Sequence, residues 1–155
     1  MEFSTREDIE APAEQVFAEL TRFEQIERQV MRRGVDLQRT SGSPDAPEEL
    51  AWTARFKLRG KERTADITLD EYDAPNRLTY KARSGGLDAV TVIDVMALSR
   101  GRTRIVMTFE VLPQTLSARL MVQSMKLARG NMEKKFRVKM AEYARDLETR
   151  LNRPA

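Results

Sequence analysis

The most regular hydrophobic pattern in this chain runs through about its last forty residues. Apolar side chains recur there at intervals of three and four positions, which is the repeat of one face of an α-helix. We therefore predict one long amphipathic helix that begins after Pro113, is capped by Thr115 or Ser117, continues to about Leu151 and bends at Gly130. The apolar stripe consists of Met121, Met125, Ala128, Met132, Phe136, Met140, Tyr143, Leu147 and Leu151.

Between Ile9 and Val111 the pattern changes to short strand-like segments. Apolar and polar positions mostly alternate there, as in a β-strand that buries one face and exposes the other. Turn-forming residues separate the segments, so we predict a meander of six or seven antiparallel strands that includes an opening strand at 2–10. The later segments are 35–37, 52–58, 65–69, 78–82, 87–98 and 105–111, and residues 41–47 are predicted to form a loop.

Two short helices are predicted between the first strand and the rest of the meander. Val16 and Leu20 keep helical spacing after Pro12, a residue that the first turn of a helix tolerates because its missing N–H would be unpaired there anyway. Ile26 and Val30 continue a second apolar face. The fold class is therefore α+β, with the long helix covering the face of the sheet that the strands leave bare.

This order of elements is that of the helix-grip fold, and the chain resembles the START-like superfamily (SRPBCC), which includes polyketide cyclases and lipid-transfer proteins. The resemblance rests on residues 9–17 at the first strand-to-helix passage, on residues 101–105 at the penultimate turn and on the terminal helix. It spans essentially all of residues 1–155 as a single domain. It implies a curved antiparallel sheet wrapped on a long C-terminal helix, with a cavity between them.

The amino-acid composition excludes several kinds of chemistry. The chain has 155 residues, of which 41% are hydrophobic and 33% charged, as in a folded globular domain. It has no cysteine and no histidine, which excludes disulfides, thiolate zinc sites, a cysteine nucleophile and the commonest general base. We expect neither a metal nor a cofactor. No apolar run is long enough to cross a bilayer and no signal-peptide pattern opens the chain, so a cytoplasmic location is expected.

Positive charge is concentrated toward the C-terminus. Residues 115–155 carry ten Lys and Arg against four Asp and Glu, whereas residues 1–114 carry 17 against 20. Such an excess is typical of the solvated outer face of a helix, which is the interpretation we prefer, and it also suits contact with an anionic membrane surface. No aromatic stacking groups accompany these cations, so nucleic acid is not expected as a partner.

Large and adaptable apolar side chains are predicted to face one another across the interior. Methionine is unbranched, so a wall rich in methionine can accept ligands of varied shape. The same residues would equally form an ordinary packed core, and the sequence leaves both interpretations open. They are Trp52, Phe56, Tyr80, Met107 and Phe109 on the sheet, and Met121, Met125, Met132 and Phe136 on the long helix.

A few polar residues are predicted to point inward with them. In an apolar cavity a carboxylate has a raised pKa and can act as a base, while a nearby arginine can stabilise a developing enolate. Glu7, Arg63 and Tyr80 are the candidates for such chemistry, and an ion pair of Glu7 with Arg63 that only orders the cavity mouth is the structural alternative. Thr5 is expected to face inward too, whereas the side on which Asp94 lies is not decided by the pattern.

Three functions are compatible with these features. We prefer noncatalytic binding or carriage of a hydrophobic small molecule, such as a lipid, a quinone or a polyketide-like compound, because the predicted interior is rich in aromatic and methionine side chains and the chain has no histidine. The alternative is a cofactor-free cyclase or dehydratase that uses a cavity carboxylate and an arginine. The third, if there is no cavity, is an interaction module that uses the basic outer face of the C-terminal helix.

Overall fold

The computed structural model describes residues 1–153, which form one seven-stranded antiparallel sheet and four helices. This arrangement confirms the predicted helix-grip fold. The strands are β1 (Glu2–Ile9), β2 (Asp36–Ser43), β3 (Ala46–Leu58), β4 (Lys61–Asp73), β5 (Arg77–Ser84), β6 (Leu87–Ser99) and β7 (Arg102–Pro113). The helices are α1 (Ala13–Leu20), α2 (Phe23–Arg32), α3 (Leu116–Lys126) and α4 (Arg129–Leu151).

The sheet is a meander to which the first strand is added at the end. Strands β2 to β7 are neighbours in chain order, and β1 pairs with β7, so that the full order is β1-β7-β6-β5-β4-β3-β2. Alternation along each strand sends one set of side chains to the helices and the other set to the outer face. In β1, for example, Phe3, Thr5 and Ile9 are buried while the residues between them are exposed or partly exposed.

The main hydrophobic core fills one end of the space between the sheet and the helices. Its fully buried members include Ile9, Val16, Leu78 and Leu147, which come from β1, α1, β5 and α4. Thr103 is also fully buried, and its hydroxyl donates a hydrogen bond of 2.7 Å to the carbonyl oxygen of Ala11. The polar group is therefore satisfied, and it fixes β7 to the connection between β1 and α1.

The predicted loop at 41–47 is wrong, because β2 and β3 form a hairpin with only Pro44 and Asp45 between them. Two irregularities in the β2–β3 register absorb the glycine and serine residues that suggested a loop. Gly42 has a φ of +78°, and a Cβ at this position would lie 2.6 Å from the carbonyl carbon of Glu49. Glycine is required here because the backbone is left-handed and tightly packed against the neighbouring strand.

The single bent C-terminal helix is also wrong in detail. As predicted, Thr115 caps the helix by accepting a hydrogen bond from the N–H of Ala118 at 3.1 Å. However, the chain forms two helices that separate at Leu127 and Ala128, and Gly130 lies inside α4. The two helices have different neighbours: α3 packs against β7 and accepts a hydrogen bond from Arg59 of the β3–β4 hairpin through Ser124, whereas α4 packs along β1.

No helix formed by residues 1–153 combines the length and the hydrophobicity needed to span a membrane.

Candidate functional site

A cavity of about 580 Å³ lies between the concave face of the sheet and the helices. Helices α2 and α4 cover it together with Leu20 at the end of α1, and strands β2 to β7 form its floor. The walls are predominantly apolar. The side chains from the helices are Leu20, Phe23, Ile26, Glu27, Gln29, Val30, Met140 and Tyr143, and those from the sheet include Trp52, Ala54, Phe56, Ile67, Tyr80, Ala82, Ala89, Thr91, Ile93, Met107 and Phe109.

The cavity exists because the floor carries small side chains. Ala82 and Ala89 face each other across β5 and β6, and Ala54 and Thr91 lie nearby on the same concave face. Further along β5, the larger Leu78 is fully buried in the core. The same sheet face is thus packed at one end and hollow at the other, because a row of alanines fills less volume than a row of leucines or isoleucines.

All five ligand-lining residues predicted on the sheet lie at the cavity wall. Alternation alone assigns a side chain to the correct face of a strand, so this part of the prediction needed no tertiary information. The rings of Trp52 and Tyr80 lie 6.1 Å apart, centroid to centroid, within an aromatic part of the wall. The five residues are Trp52, Phe56, Tyr80, Met107 and Phe109.

The four residues predicted on the long helix lie outside the cavity wall. Met125 is buried on α3, Met132 is partly buried on α4, and the sulfur of Met121 lies 3.6 Å from Nη1 of Arg63. Phe136 packs between the rings of Phe3 and Phe109, at 6.2 and 6.5 Å. Within the C-terminal stripe, the side chains that line the cavity are instead Met140 and Tyr143, the next members of the stripe along α4.

The structure does not bring Glu7 and Arg63 together. Both lie on strand positions that face inward, but Glu7 is opposite Ile105, near the β6–β7 turn, and Arg63 is opposite Phe56, at the other end of the sheet. Arg63 instead donates a hydrogen bond of 3.0 Å to the carbonyl oxygen of Ser84. The predicted pair fails because alternation fixes the face of a residue and says nothing of its position along the sheet.

The two other polar residues considered from the pattern have clear positions. Thr5 is buried on the inner face of β1. Asp94 lies on the outer face, since its neighbours Ile93 and Val95 are buried, and it forms an ion pair of 2.6 Å with Arg77. Asp94 therefore does not contribute to the cavity.

A carboxylate cluster at the cavity wall was not predicted from the sequence. Oε2 of Glu27, on α2, accepts hydrogen bonds from Nε1 of Trp52 at 2.6 Å and from Nε of Arg39 at 2.8 Å. Its Oε1 accepts a further bond from Nη2 of Arg39 at 2.8 Å. Burial acts to raise the pKa of Glu27, but the hydrogen bonds from Arg39 and Trp52 outweigh it, and the pKa lies below its ordinary value.

The Glu27 cluster holds α2 in place over the cavity. Arg39 belongs to β2 and Trp52 to β3, and the two residues are neighbours in the β2–β3 register. Three N–H donors, two of them from a guanidinium, occupy most of the acceptor positions of the carboxylate and stabilise its ionised form. The sequence did contain one signal for this cluster. Glu27 is a charged residue that lies next to Ile26 and between the apolar positions Phe23 and Val30, at the edge of the apolar face of α2.

Two tyrosines bring hydroxyl groups to the cavity, Tyr80 from β5 and Tyr143 from α4. Burial raises the pKa of Tyr80, with the neighbouring Tyr143 adding to the effect. Burial also raises the pKa of Tyr143, against an opposing influence of Arg150. Neither hydroxyl takes part in a side-chain hydrogen bond among residues 1–153, and both oxygens are accessible from the cavity. Both are therefore neutral at physiological pH, with a donor and an acceptor available to a bound molecule.

The part of the chain that the structure describes contains no group of three or more Asp or Glu side chains arranged to hold a metal ion.

Comparison with known proteins places this geometry in a family context. The family model described as polyketide cyclase / dehydrase and lipid transport matches residues 1–148. No curated protein matches the sequence significantly.

Several solved structures share the fold. A protein from Thermus thermophilus is 17% identical, with 97% of each chain covered and a TM-score of 0.60. The Zhui aromatase/cyclase from Streptomyces sp. R1128 is 13% identical over 99% of this chain and 96% of that one, with a TM-score of 0.62. A START superfamily protein from Mycobacterium smegmatis is 11% identical over 86% of this chain and 95% of that one, with a TM-score of 0.56.

Proposed function

The chain belongs to the polyketide cyclase / dehydrase and lipid transport family, and from this premise we propose that it binds and carries a hydrophobic small molecule of the lipid, quinone or polyketide class. The observation that carries the proposal is the cavity of about 580 Å³ with its mainly apolar wall. This volume falls within the range of roughly 300–1,000 Å³ that is usual for small-molecule sites. An apolar ligand leaves water when it enters, which favours binding.

The two tyrosine hydroxyls give the ligand a second requirement. Tyr80 and Tyr143 lie at the wall with hydroxyls that are accessible from the cavity and take part in no side-chain hydrogen bond among residues 1–153. Because a hydroxyl in an apolar cavity is more stable with a partner than without one, a ligand that carries a carbonyl or hydroxyl oxygen fits better than a pure hydrocarbon. The proposed ligand is therefore largely apolar, with an oxygen that meets this pair.

The Glu27 cluster favours binding over catalysis. Glu27 is the only carboxylate among the described residues of the cavity wall. Its oxygens accept three hydrogen bonds and its pKa is below the ordinary value, so it is a poor base for proton abstraction. We assign it a structural role in holding α2 over the cavity. A cyclase or dehydratase would need a base whose lone pairs are available.

Native mass spectrometry tests the proposed function. The purified protein is measured directly and after incubation with oleate, a short-chain ubiquinone or emodin, which represent a lipid, a quinone and a polycyclic polyketide. The proposal predicts a noncovalent complex of one ligand per chain, either from the expression host or with at least one of these probes. If the protein carries no host ligand and forms no complex with any of the three, the carrier function is refuted.

A further inference from the structure

Helix α3 has two apolar faces, and only one of them is buried. Ala118, Val122 and Met125 are buried against the rest of the protein. On the opposite side, Leu116 and Leu120 are 74% and 60% exposed, and Leu127, which directly follows α3 with a helical backbone (φ −65°, ψ −27°), is 92% exposed. With about 3.6 residues per turn, these three leucines fall within roughly 40° of one another around the helix axis. They form one exposed row, which we call the leucine row.

Basic side chains flank the leucine row, and neither α3 nor the residues beside it in sequence include an acidic side chain. Residues 111–132 contain three basic residues, Arg119, Lys126 and Arg129, and no Asp or Glu. Arg119 and Lys126 are exposed and project on the same flank of α3, beside the leucines. An apolar row with cations at its edge is the arrangement of a helix that lies in the plane of an anionic membrane surface.

We propose that α3 docks on an anionic lipid membrane, with the leucine row inserted at the acyl boundary and Arg119 and Lys126 paired with lipid phosphates. Charge selects this occupant. In a symmetric dimer through the same face the basic flanks of both copies would meet without any acidic partner on α3, which opposes self-association. A bilayer that contains anionic lipid satisfies the apolar row and the cations at once.

The position of α3 gives membrane docking a purpose that goes beyond ligand binding. Met121 and Ser124 of α3 contact Arg63 and Arg59 of the β3–β4 hairpin. Arg63 is directly opposite Phe56, which lines the cavity. A docked α3 therefore holds this end of the cavity next to the membrane, where an apolar molecule can pass between the two without crossing bulk water.

Vesicle cosedimentation tests the proposal with lipids as the probe. Wild-type protein is mixed with vesicles of pure phosphatidylcholine or of phosphatidylcholine with phosphatidylglycerol at a molar ratio of 7:3, in low salt and in 0.5 M NaCl. We expect binding to the anionic vesicles in low salt and its loss in high salt. The variant L116Q/L120Q/L127Q should bind at least about tenfold more weakly, and R119Q/K126Q should also lose about tenfold.

Matched control variants separate this face from general effects. M31Q/M96Q/L98Q changes three other exposed apolar residues, and K57Q/R100Q removes two other exposed charges. Both should bind like the wild type, and circular dichroism should show that all variants are folded.

Three results would overturn the proposal. They are no cosedimentation of the wild type in low salt, undiminished binding by the leucine variant, and a wild-type dimer in sedimentation equilibrium that the leucine variant converts to monomers. The last result would assign the face to a second copy. The vesicles contain no ligand for the cavity, so docking is measured independently of the proposed carrier function.

Discussion

The environment of Glu27 is a feature of the site that the sequence did not predict. The sequence presents it as one of many glutamates on a short helix, yet it connects three elements through its bonds to Arg39 and Trp52. Because charged hydrogen bonds of this kind are short and directional, they fix α2 relative to the sheet. The partners are 12 and 25 residues away in sequence, so no local pattern identifies them.

Replacing Glu27 with Gln should lower the free energy of unfolding by about 1.5–3 kcal/mol at pH 7, because the guanidinium and the indole N–H lose their charged acceptor. Urea unfolding measures this loss. Glu48 is exposed, and E48Q should leave the stability within about 0.5 kcal/mol of wild type. Equal stability of E27Q and wild type would contradict the structural role.

The effect of the Glu27 substitution should also depend on pH. The pKa of Glu27 in the folded protein lies below its ordinary value of 4.5. Its stabilising contribution is therefore complete above the unfolded-state pKa and is lost as the pH falls through the folded-state pKa. The difference in unfolding free energy between wild type and E27Q should stay constant from pH 7 to about 5 and shrink below that. A difference that grows on acidification would refute the ion pair.

Tyr80 and Tyr143 are predicted to matter for the ligand more than for the fold. In Y80F/Y143F no intramolecular hydrogen bond is lost among residues 1–153, so the unfolding free energy should change by less than about 1 kcal/mol. For whichever of oleate, ubiquinone and emodin binds the wild type, the affinity should fall roughly fivefold or more, since each lost hydrogen bond is worth about 1 kcal/mol. Fluorescence titration measures this affinity. Unchanged affinity for that probe would remove the hydroxyl pair from the site.

At the scale of elements, local pattern predicts existence and type better than boundaries. Alternation identified the strands, and the stripe of the C-terminal segment has the correct helical register. The break at Leu127 and Ala128 has no local cause, because both residues are compatible with a helix; it follows from where α3 and α4 pack. The length of β2 and β3 and the tight turn between them were missed for the converse reason, since pairing with β3 overrides the loop-like composition of residues 41–47.

Two glycines, one in a helix and one in a strand, lead to opposite predictions for stability. Gly130 lies in α4 without a left-handed φ, and a Cβ at this position would have no atom within 4 Å, so G130A should raise the unfolding free energy by about 0.5 kcal/mol. Gly42 has a φ of +78° and a Cβ there would meet Glu49, so G42A should lower it by at least about 1 kcal/mol. Thermal unfolding compares the two. Destabilisation by G130A would instead place a required bend at Gly130.

At the scale of the whole molecule, the cavity forms because the side chains on the concave face of the sheet are too small to fill the space beneath the helices. Family resemblance predicted a cavity, and alternation predicted five of its sheet residues. The alanines that create the space could not be recognised, because Ala82 and Ala89 resemble ordinary small core residues until their neighbours across the sheet are known. The side chains of the C-terminal stripe that line the cavity lie further along α4 than predicted, because the repeat of the stripe fixes a face of the helix and not the part of it that passes over the cavity.

Filling the cavity tests the central claim most directly. N-phenyl-1-naphthylamine, an apolar dye that fluoresces strongly when it leaves water, is titrated into three proteins. A82L/A89L adds bulk to the cavity floor, and A51L adds a leucine to the same sheet at a position whose neighbours Trp52 and Leu50 are buried, so that it faces outward. The account predicts saturable binding by wild type and A51L, and a Kd raised at least about tenfold in A82L/A89L, which is about 1.4 kcal/mol. Equal binding by all three folded proteins, or no saturable binding by the wild type, would contradict it.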